Sequence, residues 1–135
     1  MRNRPTLTFD DVKKMMSACE AEAAQNGWAV TIAIVDDAGY ALSLLRLEGA
    51  GPMTSHVAME KARTAALTRR PSRFWEERVK ERPGFLKFPD TLPVTGGVPV
   101  MVGTDCVGGI GVSGVQSHQD EQIALAGAKA VQPPG

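Results

Sequence analysis

The chain has little of what usually announces a chemistry. It carries only two cysteines and two histidines in 135 residues. No CxxC, CxxCH or other metal-ligand spacing joins them, so an attached haem, a structural zinc or a disulfide scaffold has no sequence support. Cys19 and Cys106 fall in a predicted helix and a predicted strand and read as buried, reduced thiols. Neither sign of charge prevails, since 15 basic residues balance 15 acidic ones and no block of like charge occurs. That argues against duplex nucleic acid or an anionic membrane as the main partner and favours a small neutral or mildly anionic ligand. No apolar run approaches bilayer length, and the opening MRNRPTLTFDD has basic residues with no apolar stretch behind them, so the expectation is a cytoplasmic protein. Repeats and long polar linkers are also missing. Residues 1–135 therefore read as one domain, large enough to bury roughly two-thirds of the surface its unfolded chain exposes.

What the chain does have is glycine, and 14 of them include the pattern GGVPVMVGTDCVGGIGVSG from Gly96 to Gly114. Val98, Val100 and Val102 alternate up to Gly103-Thr104-Asp105, and a β-rich run resumes from Val107 to Val112, which predicts a hairpin. On its second strand Gly109, Gly111 and Ser113 share one face, with Ile110 and Val112 on the other. Glycine weakens a strand, so two at alternate positions imply close approach by a helix, another backbone or a ligand. Pro99 cannot donate to a ladder, which puts the first strand at an edge or next to a bulge.

Thr8 with Asp11 predicts a capped helix whose Phe9, Val12, Met16, Cys19 and Ala23 recur at helical spacing until Asn26-Gly27. Met15 and Met16 read as packing residues. Trp28 to Val35 predicts a central strand covered on both faces. Asp36-Asp37-Ala38-Gly39 makes a turn, and Tyr40 to Leu47 returns with Tyr40, Leu42, Leu44 and Arg46 on one face. An arginine ending an apolar face either snorkels to solvent or holds an anion. After a loop over Glu48 to Pro52, Thr54 or Ser55 can cap a helix to about Arg70, small on one side at Ala58, Ala62, Ala65 and Ala66. On the neighbouring arc His56, Glu60 and Arg63 stand at i, i+4 and i+7 beside Lys61.

Ser72 can cap a short helix through Lys80. Pro83 to Pro93 reads as irregular, with Phe85, Leu86 and Phe88 either a lid or an interface. Ser117 and Asp120 suggest the capped start of a last helix with Ile123, Ala126, Gly127 and Ala130 on one side, and Gln132 to Gly135 a frayed tail. Hairpins with helices set apart from them make the fold class α+β.

With its segments placed, the sequence resembles the GlcG/HbpS-like family, also called haem-degrading, which includes the C-terminal domain of PduO-type corrinoid adenosyltransferases. The resemblance spans nearly the whole chain and is carried by AVTIAIVDDAGYAL, RLEGAGP, MEKARTAAL, GGVPV and VGGIGVSGVQSHQDEQIALAG. It implies a profilin-like or PAS-like layout, with helices on a five-stranded antiparallel sheet, and homo-oligomers from dimer to octamer. It also implies a choice of functions: haem binding, redox or metabolite sensing without catalysis, or cofactor-free lyase chemistry on a hydroxylamino-aromatic acid such as hydroxylaminobenzoate. The stretch EKARTAALTRRPS looks like the corresponding part of the hydroxylaminobenzoate lyases.

Each reading selects residues. Haem as a possible cofactor would take an axial ligand from His56, His118, a methionine, a cysteine, Lys61 or Tyr40. His56, opening a helix beside the glycine face, is the best placed, and His118 reads as solvated. A lyase needs an acid, a base and a cation for a carboxylate, types supplied by Glu60, Lys61, Asp36, Arg63 and Arg46. Glu60 with Lys61 or Arg63 is equally an ordinary mixed-charge helix face, and Asp36 equally a turn cap. The expected site is a pocket for haem or a small aromatic acid between the Ser55 to Arg70 helix and the hairpin. Arg46, Lys61 and Ser113 would rim it, Gly96 and Gly97 would let a ligand approach backbone, and a neighbouring subunit would complete it.

Overall fold

The computed structural model describes residues 1–131, so the tail Gln132–Gly135 expected to fray lies outside the described residues. In chain order the elements are α1 (Phe9–Asn26), β1 (Thr31–Asp36), β2 (Ala41–Arg46), α2 (Met53–Thr68), α3 (Ser72–Glu81), a 3-10 turn (Pro83–Lys87), β3 (Gly97–Val102), β4 (Asp105–Ser113) and α4 (Ser117–Lys129). The four strands form one antiparallel sheet in the order β2-β1-β4-β3. The α+β class stands, but the sheet has four strands among the described residues and not the five implied by the family resemblance. Between α3 and β3 the chain spends its length on the 3-10 turn and on Pro89 and Pro93. Proline cannot donate to a ladder, and among the described residues that segment joins no strand pairing, Leu92 being held instead by Thr64 of α2 and Thr95 by Glu76 of α3.

The sheet has two unlike faces. Ile32, Ile34, Val98, Val100, Ile110 and Val112 point to one side and are closed over by Val12, Met15, Met16, Cys19 and Ala23 of α1 and by Ile123 and Ala124 of α4. Each fully buried side chain of this size contributes about 1.5–3 kcal/mol, so this layer is the main source of stability. The other side is nearly bare, and Ala33 and Val35 meet Ala58, Ala62 and Ala66 of α2. The glycine face explains how close α2 comes. A Cβ built on Gly109 would lie 2.5 Å from the Ala62 carbonyl oxygen, and one on Gly111 would run into the Ala58 carbonyl. Among the three partners the sequence left open for those glycines, the structure has a helix. Pro99 sits, as its missing N–H requires, on the edge strand β3, which also carries a bulge at Val100/Met101.

Several local expectations shift. Thr8 and Asp11 do form the reciprocal cap of α1, but Phe9 is exposed and Met15 takes its place inward. The α2 helix begins at Met53 without a side-chain cap, because the Thr54 hydroxyl turns inward to Thr31 Oγ1 at 2.8 Å. Ser72 caps nothing. Its Oγ accepts from the Gly97 N–H at 2.8 Å and ties α3 to β3. The α4 cap is Gln116 with Gln119, since Asp120 is used elsewhere, and the inward face is Ile123, Ala124, Gly127 and Ala128. Both cysteines are free and buried, and burial pushes the Cys19 thiol up to about 12.

Candidate functional site

The helix α2 lies over β4, with β1 and β3 to either side, and covers β2 only lightly. The contrast is plain in exposure: β1 is buried at all positions but its last, whereas β2 is half-buried or exposed throughout. A groove therefore runs between the flank of α2 and the open face of β2. Its floor follows from register. Leu44 stands opposite Ala33 and Arg46 opposite Thr31, and directly paired residues share a face, so both point to the α2 side. The four-residue apolar face expected over Tyr40, Leu42, Leu44 and Arg46 is broken by a bulge, because Ile34 pairs Ser43 while Val35 pairs Ala41. The extra residue, Leu42, turns to the opposite side and lines a cleft with Phe9, Val12 and Met16 of α1.

The wall of the groove is the arc His56, Glu60, Arg63. At one end Arg63 Nη1 reaches Glu60 Oε1 at 3.1 Å and its Nε donates to the Gly39 carbonyl at 3.4 Å. Here an open cavity of about 290 Å³ is bounded by Ala38, Gly39, Tyr40, Arg63, Leu67 and Asp90. At the other end the Thr31–Thr54 hydroxyl contact seats the start of α2, and Arg46 Nε donates to the Ala50 carbonyl at 2.8 Å. His56 lies two turns before Arg63 on the same arc, exposed. Arg46, His56, Glu60 and Arg63 thus belong to one open surface. Asp36 stands beside it but is occupied: its Oδ1 accepts the N–H groups of Ala38 and Tyr40, both at 2.9 Å, and holds the β1–β2 turn.

Lys61, Gly96, Gly97 and Ser113 are elsewhere. The Lys61 side chain is buried and runs past the sheet end, where Nζ donates to the Val112 carbonyl and to Asp120 Oδ2, each at 3.0 Å. Asp120 Oδ1 accepts from Val115 N–H at 3.1 Å. Burial pushes the Asp120 carboxyl above the usual carboxylate range, and the Lys61 ammonium pulls it part of the way back. Gly96 and Gly97 make the passage: a Cβ on Gly96 would lie 2.7 Å from Lys61 Nζ, and one on Gly97 would meet the Lys61 carbonyl. Ser113, opposite Thr31, is buried under the first turns of α2. The space between α2 and the hairpin, where the sequence placed a ligand, is filled by helix backbone and this ion pair. Sequence reasoning missed Asp120 as the partner of Lys61, and 59 residues separate the two. No helical or strand periodicity could have paired them.

Among the described residues no cluster of three or more His, Cys, Asp or Glu side chains is placed to hold a metal ion, and no helix is long and apolar enough to cross a membrane. His118 is exposed in the first turn of α4 and is not on the arc that walls the groove.

Comparison with known proteins brings the geometry into a family. A family model described as haem degrading protein HbpS-like matches residues 7–129. The chain is similar to protein GlcG of Escherichia coli K12, with 39% identity over 114 residues, or 84% of this chain and 85% of that one. Among solved structures, a double mutant of Streptomyces reticuli HbpS superposes with a TM-score of 0.92 at 35% identity, covering 98% of this chain and 92% of that chain. A PduOC:heme complex shares the fold with a TM-score of 0.86 at 24% identity, covering 94% and 96% of the two chains.

Proposed function

From the premise that the chain belongs to the HbpS-like family, we propose that it is a cytoplasmic, homo-oligomeric small-ligand binding protein whose first candidate ligand is haem, held in the α2–β2 groove. The observation that carries this reading is the groove itself: a lightly covered strand face with Leu44 on its floor, cations near both ends and an exposed histidine on its wall. Haem asks for an apolar plane, positive charge for its carboxylates and a donor atom for its iron. Leu44, Arg46 with Arg63, and His56 match these needs in kind. When bound, haem supplies a redox-active iron. The chain's own residues would supply the rest: Leu44 would take water from one face of the ligand, Arg46 at one end of the groove or Arg63 at the other would hold its acidic edge, and His56 would offer a ring nitrogen.

An absorbance titration with haemin tests the proposal. A saturable Soret shift that is lost in His56→Ala and weakened in Arg46→Ala is the expected result. A weak, unsaturable shift that neither substitution changes would remove haem from consideration.

A lyase acting on a hydroxylamino-aromatic acid is the second reading, favoured by the cavity beside Arg63. About 290 Å³ suits a single aromatic ring, Arg63 on its lining can hold the carboxylate, and Glu60, which pairs with that guanidinium at 3.1 Å from outside the lining, would be the acid that exchanges a proton. Turnover of hydroxylaminobenzoate that Glu60→Ala abolishes, with the fold intact, would establish it. Ligand binding without turnover favours a sensor.

A further inference from the structure

Pro83 to Pro93, readable from the sequence as a lid or an interface, is in the structure a strap with two anchors. At Phe88 it is held in an aromatic cluster, that ring lying 5.5 Å from Trp75 and 4.9 Å from Phe85. At Leu92 the backbone N–H donates to Thr64 Oγ1 of α2 at 2.7 Å. Asp90 stands midway, two residues from each anchor. Its φ of 56° is left-handed, a conformation shared by one other non-glycine residue among those described, Arg69. Aspartate tolerates it better than most side chains do. The turn sets Asp90 on the lining of the cavity beside Arg63, where it is the one acidic residue.

Opposite charges share that lining without closing on each other. Arg63 is turned to Glu60 at 3.1 Å and to the Gly39 carbonyl at 3.4 Å. The acids of the neighbouring turn are engaged as well, Asp36 by the N–H groups of Ala38 and Tyr40 and Asp37 by Arg4. The Asp90 carboxylate has no hydrogen bond and no ion pair among the described residues. A free carboxylate costs little at an exposed position, so its freedom alone says nothing. Its place says more, because Tyr40 and Leu67 give the same cavity apolar sides while Arg63 and Asp90 give it one charge of each sign.

Resting on the aromatic-acid reading of this cavity, we infer that Asp90 is its specificity-determining residue: with the ligand carboxylate on Arg63, Asp90 accepts from an N–H or O–H substituent on the ring and turns away a second acid. The two effects have separate causes. A donor substituent gains a charge-assisted hydrogen bond. A second carboxylate meets an uncompensated like charge, the repulsive element that discrimination requires. Glu60 does neither, since it lies outside the lining with its charge spent on Arg63. The ligand class narrows from any aromatic acid of suitable size to a monocarboxylic one with a hydrogen-bond donor elsewhere on its ring.

Titration calorimetry with benzoate, 4-aminobenzoate and terephthalate tests this without any need for turnover. Wild type should bind 4-aminobenzoate about fivefold or more tightly than benzoate, as a partly exposed charge-assisted bond warrants, and terephthalate most weakly. In Asp90→Gly the first two should converge to within about twofold, and terephthalate should gain about fivefold or more. Glycine takes a φ of 56° without strain, so this variant keeps the strap, and a gain of affinity cannot come from unfolding. Asp90→Asn, which also suits the left-handed turn but carries no charge, should admit terephthalate while keeping part of the preference for the amine. Arg63→Ala should lose all three acids. Equal binding of benzoate and 4-aminobenzoate by wild type, or a ranking unchanged in Asp90→Gly, would overturn the role of Asp90 and leave the aromatic-acid reading standing. Failure of wild type to bind any of the three would overturn both.

Discussion

On its inner face α2 presents Ala58, Lys61, Ala62, Ala65 and Ala66 to the sheet, all buried, while its outer arc carries His56, Glu60 and Arg63 into the groove. Both sides hold charge, but the inner ammonium is saturated by Asp120 and the Val112 carbonyl. The outer pair is about one-third exposed and closes on itself only at 3.1 Å across one helical turn. A buried charge whose hydrogen bonds are filled holds parts together. A partly exposed one can exchange its partner for a ligand. The consequence is a helix whose inner residues govern stability and whose outer residues govern recognition.

Substitutions that separate the two faces rank by size. Lys61→Ala is the most damaging, at about 3–5 kcal/mol, because it strands Asp120 without its partner in a buried place. Chemical denaturation measures it, and the double variant Lys61→Met/Asp120→Asn should recover more than half of the loss, since the remaining amide still accepts from Val115. Gly111→Ala comes next, at about 1–3 kcal/mol, because the new methyl meets the Ala58 carbonyl and lifts α2 from the sheet. If Gly111→Ala were neutral, the close seat of α2 would be wrong.

The third test is pH. Lys61 lowers the Asp120 pKa from where burial alone would put it, so without Lys61 the folded state holds the Asp120 proton to higher pH. By linkage, the ion-pair part of the stability deficit of Lys61→Met is fully present only above the variant's own, still higher Asp120 pKa, shrinks as pH falls from there, and is gone below the raised wild-type pKa. A deficit that grew on acidification would contradict the ion pair.

On the outer face, Arg63→Ala should cost less than about 0.5 kcal/mol, the usual worth of an exposed i,i+3 pair, while weakening ligand binding. Equal losses of stability and affinity would erase the distinction between the faces. The smallest effect belongs to the thiols. Cys19, pushed up to about 12, and Cys106, also raised by burial, should not react with a disulfide reagent at pH 8 until the protein is unfolded.

How far the sequence discloses all this depends on range. The Thr8–Asp11 cap, the β1–β2 turn held by Asp36 and the Gly96–Gly114 hairpin are local, and their residue types fix them over three to twenty positions. The alternation of Gly109 and Gly111 even announces a close neighbour, though not which one. The bulge that turns Leu42 away is invisible, because it depends on how β2 registers against β1 and not on β2 alone. The expected pocket fails for a related reason. Small residues on α2 and glycines on β4 signal proximity, and proximity here is complete enough to exclude a ligand. Helical spacing sets His56, Glu60 and Arg63 on one arc, and Arg46, expected to rim a pocket with Lys61 and Ser113, lies on the same open surface as that arc, whereas Lys61, adjacent in sequence to Glu60, is carried about 100° around the helix into the interior.

The passage at Gly96 and Gly97 also sets an order of events during synthesis. Lys61 emerges with α2, its route past the sheet exists only once β3 has been made, and its acceptor Asp120 arrives with the last helix, 59 residues later. A ribosome-bound chain that has finished α2 therefore carries an ammonium in the middle of an otherwise apolar face, unable to bury it. Until Asp120 is in place that ammonium has no carboxylate to bury against, so the close seating of α2 on the sheet depends on the docking of α4.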